Sequence, residues 1–111
     1  MKLSYVRGLS GESMAEGYLV QSGYQILARR YKVPGGEIDL VAKEGDTVCF
    51  VEVKYRPSAR LGEALAAMTP EKARRLRVAK AAYLKAHPAR RTRMDLIEIT
   101  RAGIRLVRGT E

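Results

Sequence analysis

The sequence predicts an α/β fold: a mixed β-sheet of about five strands flanked by helices, in the order α-β-β-β-α-β-β. Three observations carry that expectation. Residues 37–43 and 48–55 are the two strongest strand signals, and the short turn Glu44-Gly45-Asp46-Thr47 between them should close a hairpin. Thr69-Pro70-Glu71 announces a helix, with a hydroxyl cap, a proline at the first helical position and an acid in the first turn. Residues 94–100 and 103–107 read as two more strands around a turn at Arg101-Ala102. Strands on both sides of an amphipathic helix are the pattern of a sheet with helices packed on it.

After a short arm, the residues from Gly11 to about Ser22 read as a helix with Ala15 and Leu19 inward, stopped by Gly23. Residues 24–31 follow as a strand, broken by Pro34-Gly35-Gly36. Beyond the hairpin comes a loop containing Pro57, Ser58 and Gly62. The second helix should run to about Ala86, where His87-Pro88 stops it. On a helical wheel Ala73, Leu76, Ala79, Tyr83 and Leu84 share an inward arc, Arg74, Arg77 and Lys85 point away, and Lys72 and Lys80 lie inside or at the edge of that arc. The length suits one domain covering residues 1–111.

Composition narrows the chemistry. A formal charge of +9 attracts polyanions, nucleic acid foremost. The excess is concentrated between Arg56 and Arg93, where only Glu63 and Glu71 oppose it. No run is long enough to span a bilayer, and the N-terminus lacks the apolar centre of a secretory signal, so a cytoplasmic protein without a membrane partner is expected. With Cys49 as the single cysteine and His87 as the single histidine, an internal disulfide and the usual zinc ligand sets cannot be assembled. Cys49 reads as a core thiol and His87 as a helix-end residue. Any metal must be held mainly by oxygen.

The hairpin supplies such oxygens. If Gly45-Asp46 are the two central turn residues, Glu44 faces Thr47, Asp39 faces Glu52 and Glu37 faces Lys54. Ile38, Leu40 and Ala42 then lie with Val53, Val51 and Cys49 on an apolar face. Two carboxylates with Cβ atoms about 4.5–5.5 Å apart repel each other unless a cation or a proton intervenes. Carboxylate oxygens suit Mg²⁺ or Mn²⁺, ions that meet their substrates through phosphate. Lys54, two residues along the strand from Glu52, could hold an attacking water or offset phosphate charge. The bland alternative is a Glu37–Lys54 ion pair on a solvated face, and the spacing leaves both readings open.

The string Gly36-Glu37-Ile38-Asp39-Leu40-Val41-Ala42, followed by Phe50-Val51-Glu52-Val53-Lys54-Tyr55-Arg56, resembles the central signature of the YraN family of bacterial proteins, uncharacterised protein family UPF0102. Gly11-Glu12, Ala15, Tyr18-Leu19, Gly23-Tyr24, Ile26-Leu27, Lys72, Leu76, Ala79, Tyr83-Leu84 and Arg93-Met94-Asp95-Leu96-Ile97 follow the same pattern in order. That family is similar to the restriction-endonuclease-like (PD-(D/E)XK) superfamily, and to archaeal Holliday junction resolvases in particular. The resemblance implies a restriction-endonuclease-like sheet, Asp39 and Glu52 as metal ligands, Lys54 as the catalytic lysine, and Glu12 as an additional acid from the first helix. It implies a Mg²⁺- or Mn²⁺-dependent endonuclease acting on structured or branched DNA, ahead of RNA, and a homodimer. Candidate nucleic-acid contacts are Tyr55, Arg56, Lys72, Arg74 and Arg75. Tyr55 and Arg56 read equally well as packing and solvation, Lys72 as a lysine laying its stem on apolar surface, and Glu12 as an acid favoured at a helix N-terminus. A protein that binds DNA or RNA without cutting it, on the same fold, is the alternative, followed by a basic accessory to an acidic protein.

Overall fold

In a computed structural model that describes residues 3–56 and 69–109, helix α1 (Leu3–Gln21) precedes strands β1 (Gln25–Val33), β2 (Gly36–Glu44) and β3 (Thr47–Tyr55). Helix α2 (Pro70–Ala86) and strands β4 (Arg91–Thr100) and β5 (Gly103–Arg108) follow. The loop expected around Pro57, Ser58 and Gly62 lies outside the described residues. The sheet runs in chain order from β1 to β5. Every neighbouring pair is antiparallel except β3 and β4, which are parallel from Thr47↔Arg91 to Tyr55↔Ile99. A parallel pair needs a crossover, and α2 lies on it. This is the expected mixed α/β order, and no described helix is long and apolar enough to cross a membrane.

Helix α1 begins at Leu3, so the arm expected before Gly11 is helical. Ser4, Gly8 and Ser10 are weak helix formers, and propensity read alone argues against this part of the helix. Its other end is as expected. Gly23 takes φ +96°, its N–H donates to the Val20 carbonyl, and the Tyr24 N–H donates to the Leu19 carbonyl at 2.9 Å. That pair of bonds is a Schellman stop, which needs a residue tolerant of positive φ. Helix α2 starts where the sequence places it: the Lys72 N–H donates to Thr69 Oγ1 at 3.2 Å, and the His87 N–H closes the other end on the Tyr83 carbonyl.

The helices cover opposite faces of the sheet. Ala15 and Leu19 of α1 pack with Tyr24, Leu40, Ala42, Cys49, Val51, Ile97 and Ile99, all buried. Leu76, Ala79 and Tyr83 of α2 pack with Val41, Val48, Phe50 and Met94. Ile38 belongs to this second cluster, a correction to the sequence reading, which puts it on the face of Leu40 and Ala42. The cause lies in the hairpin. Its ladder has the expected register from Glu44↔Thr47 to Leu40↔Val51 and stops there. Past that point the two strands part, and the start of β2 lies against α2.

Gly36 makes that approach feasible. A Cβ there would stand 2.6 Å from the Ala79 nitrogen and 2.8 Å from the Arg75 carbonyl oxygen, both helix backbone that cannot rotate away. Gly36→Ala should therefore cost about 1–3 kcal/mol in urea unfolding, the range of an overpacked core. Gly45→Ala, at a turn with open space around it, probes backbone strain alone.

Candidate functional site

Where β2 and β3 separate, the side chains of Asp39 and Glu52 enter the gap. The Asp39 carboxylate accepts a hydrogen bond from the Val53 N–H at 2.8 Å, occupying the place that a ladder partner would have taken. Asp39 and Glu52 are therefore not ladder partners as the extrapolated register implies, yet both line the same cleft, and the Glu52 charge acts on Asp39. Burial and the facing Glu52 charge push the Asp39 pKa up to about 7, against the opposing pull of the Val53 N–H. Asp39 thus holds its proton well above the usual carboxylate range.

Two lysines flank the pair. Lys54 Nζ lies 3.1 Å from Glu52 Oε1, with both side chains largely buried. Burial pulls Lys54 down, but hydrogen bonds with Lys72 and Glu52 and the charges of Glu52 and Asp39 outweigh it and hold its pKa above the ordinary lysine value. Lys72 moves the other way. Its hydrogen bond with Lys54, partial burial and the Lys54 charge all hold it below the ordinary value, and Glu52 only partly offsets them. Glu37, Asp39, Glu52, Lys72, Arg75 and Leu76 line a cleft of about 180 Å³ between the parted strands and the N-terminal half of α2.

Lys72 is the residue that sequence reasoning undervalues. A snorkelling lysine or a nucleic-acid contact is what its position suggests, whereas it lines the cleft close enough to Lys54 for the two charges to interact. Its place inside the inward arc of α2 is the available signal. Glu37, expected opposite Lys54, lies instead 3.8 Å from Arg75, because the ladder that would have paired it with β3 has already opened. Glu12 is bound by Arg30 at 3.1 Å and does not line the cleft, although its charge contributes to raising Asp39.

The remaining predicted contacts divide. Arg75 lines the cleft, while Arg74 pairs with Glu71 one helical turn away at 2.7 Å. Tyr55 packs against the α1-side core, with its Cβ 3.1 Å from the position a Cβ on Gly11 would take. Arg56 is exposed at the end of β3, its N–H donating to the Ile99 carbonyl at 2.8 Å and its charge helping to lower Lys72. Cys49 is a buried free thiol, and His87 caps α2 with its ring on Tyr83.

The donor set fits a hard divalent cation. Two partly buried carboxyls whose charges oppose each other would lose that repulsion on binding one, and an oxygen-only pair suits Mg²⁺ or Mn²⁺. Among the described residues no group of three or more His, Cys, Asp or Glu side chains gathers around a common point, so the protein's share of the coordination would be Asp39 and Glu52.

Residues 11–99 match the family model described as "Uncharacterised protein family UPF0102". A UPF0102 protein of Rhodopseudomonas palustris (strain BisA53) is 49% identical over 81 residues, covering 73% of this chain and 61% of the relative. One from Chlorobium phaeobacteroides (strain BS1) is 44% identical over 94 residues, 83% of this chain and 75% of the relative. Another from Bradyrhizobium diazoefficiens is 48% identical over 81 residues, 73% and 59%. The chain thus spans less than two thirds of the length of the Rhodopseudomonas and Bradyrhizobium proteins.

Proposed function

The chain belongs to uncharacterised protein family UPF0102, and from that premise we propose that it binds nucleic acid and hydrolyses its phosphodiester bonds, with a divalent cation held by Asp39 and Glu52. The observation that carries the reading is the placement of two half-buried carboxyl side chains, Asp39 and Glu52, on one cleft with Lys72 and Arg75, with Lys54 ion-paired to Glu52. Structured or branched DNA is the substrate class the family resemblance favours.

Each residue has a distinct task in this reading. Asp39 is held by the Val53 N–H and Glu52 by Lys54, so both carboxylates are fixed before a ligand arrives. A bound Mg²⁺ supplies positive charge for the phosphoryl oxygens and acidifies water. Lys54, kept protonated by its neighbours, donates to a phosphate oxygen and offsets the charge that develops there. Lys72 lies on the same cleft beside Lys54 and adds a second positive charge toward a bound phosphate. Arg75 at the rim orients the backbone.

The test is a cleavage screen over single-stranded, duplex, flap and four-way DNA and over RNA, with Mg²⁺ and with Mn²⁺. Strand scission is expected in metal and not in chelator, with at least a hundredfold loss in Lys54→Met. Salt-sensitive binding without scission on any substrate leaves the binding protein on the same fold as the better account. Absence of both binding and scission removes nucleic acid as the partner.

A further inference from the structure

The cations of the described residues are not equivalent. Arg74, Arg75, Arg93 and Arg108 each face a carboxylate of Glu71, Glu37 or Glu44, so much of their charge is spent within the fold. Lys43, Arg90 and Arg91 have no such partner among the described residues, and all three are exposed. They gather at the opposite end of the hairpin from the acid pair, around a groove of about 800 Å³ between β2, β3, the first residues of β1 and the C-terminal end of α2. Among the described residues Asp46 is the one acid on its lining.

The groove also contains an aromatic surface. His87 lines it with its ring 4.7 Å from that of Tyr83, and Tyr83 is wedged edge-on against Tyr31 at 5.3 Å and Phe50 at 5.8 Å. An exposed ring on so firmly packed a base is already ordered, and little entropy is lost when a planar ligand settles on it. Leu27, a partly exposed leucine beside the β1 bulge, adds apolar surface to the same lining. Three uncompensated cations beside an anchored ring are the two elements that sequence-tolerant single-strand binding requires: charge for the phosphates and a face for a base.

We infer that this groove is a binding site for single-stranded nucleic acid, with Lys43, Arg90 and Arg91 contacting successive phosphates and a base stacking on His87. Four residues of strand separate Asp39 from Lys43 and Glu52 from Val48, so the groove begins about 13 Å from the acid cleft. Both openings lie on the α2 side of the sheet, at either end of that helix. A strand held here would extend past the cleft as a single-stranded arm of a longer substrate. The inference shares its polyanionic partner with the proposed function but uses none of its chemistry.

The test is fluorescence anisotropy with a labelled oligothymidylate in chelator, where scission cannot occur, over a series of salt concentrations. The combined Lys43→Gln, Arg90→Gln, Arg91→Gln protein should bind at least tenfold more weakly, with its log–log salt slope shallower by about 2. His87→Ala should lose about tenfold with the slope unchanged, a split that separates stacking from charge. Because the four side chains are exposed, the thermal midpoints should match that of the parent protein. Unchanged affinity and slope in the triple variant would overturn the inference, as would an oligoglutamate that competes as well as oligothymidylate. Groove-dependent binding in a protein that never cuts any substrate would remove only the proposed chemistry.

Discussion

Asp39→Asn should make the metal-free protein more stable in mild alkali while abolishing the proposed cleavage of nucleic acid. An acid whose pKa is higher in the folded chain than in the unfolded one binds its proton more tightly when folded. Its contribution is therefore full below the unfolded value and is lost as pH rises toward the folded one. For Asp39 that window runs from 3.8 to about 7. The amide has no proton to lose and keeps an oxygen for the Val53 N–H. At about pH 8 the variant should exceed the parent by about 1–3 kcal/mol in chelator. Mn²⁺ at a hundred times the parent's dissociation constant should narrow or reverse the difference, stabilising the parent by about 2–3 kcal/mol and the variant by at least about 1 kcal/mol less. Urea unfolding with and without the ion, at acid and alkaline pH, measures all of this. A variant less stable than the parent in alkaline chelator would show that the carboxyl pair is not under repulsion.

Arg93→Ala should cause a larger loss of stability than the removal of any other arginine in the described sheet. Asp95 is fully buried on β4. Its carboxylate accepts from Arg93 Nε at 2.8 Å and Arg93 Nη2 at 2.9 Å, from the Tyr24 hydroxyl at 2.9 Å and from the Gly109 N–H at 3.0 Å. Arg93 also donates to Glu44 at 2.6 Å, and Glu44 is held in turn by Arg108 at 2.8 Å. Removing the guanidinium leaves a buried carboxylate without its cation, which costs about 3–5 kcal/mol. Arg108→Ala, an exposed arm of the same network, should cost under about 1 kcal/mol. Equal losses from the two, measured by urea unfolding, would mean that Asp95 does not depend on Arg93.

That network shows where sequence reading reaches its limit. In the sequence Arg93 counts with the basic segment open to a polyanion, because nothing local distinguishes an arginine facing solvent from one facing a buried acid two residues along its own strand. The partners Tyr24, Glu44 and Arg108 come from three other parts of the chain, and only the strand order brings them together. The hairpin register, by contrast, is legible. The two-residue turn fixes Glu44 opposite Thr47, and a slip of one residue would send Phe50 or Leu40 to the wrong face. What the register does not convey is its own end at Leu40 and Val51. The separation of the strands beyond it depends on α2 packing against Gly36, a contact across residues distant in sequence. It opens the cleft, moves Ile38 to the other core and gives Asp39 the Val53 N–H. Lys72 enters the site by the same contact, through a helix whose docking angle no periodicity encodes.

Calorimetric titration of Mn²⁺ into the metal-free protein in slightly acidic buffer, at about pH 6, addresses the proposed chemistry at its root. One ion per chain is expected for the parent, with uptake accompanied by release of the proton that Asp39 carries. Asp39→Asn and Glu52→Gln should each weaken binding at least tenfold and abolish the proton release. Undiminished binding of one ion by both variants would place the cation elsewhere and contradict the proposed role of the two acids.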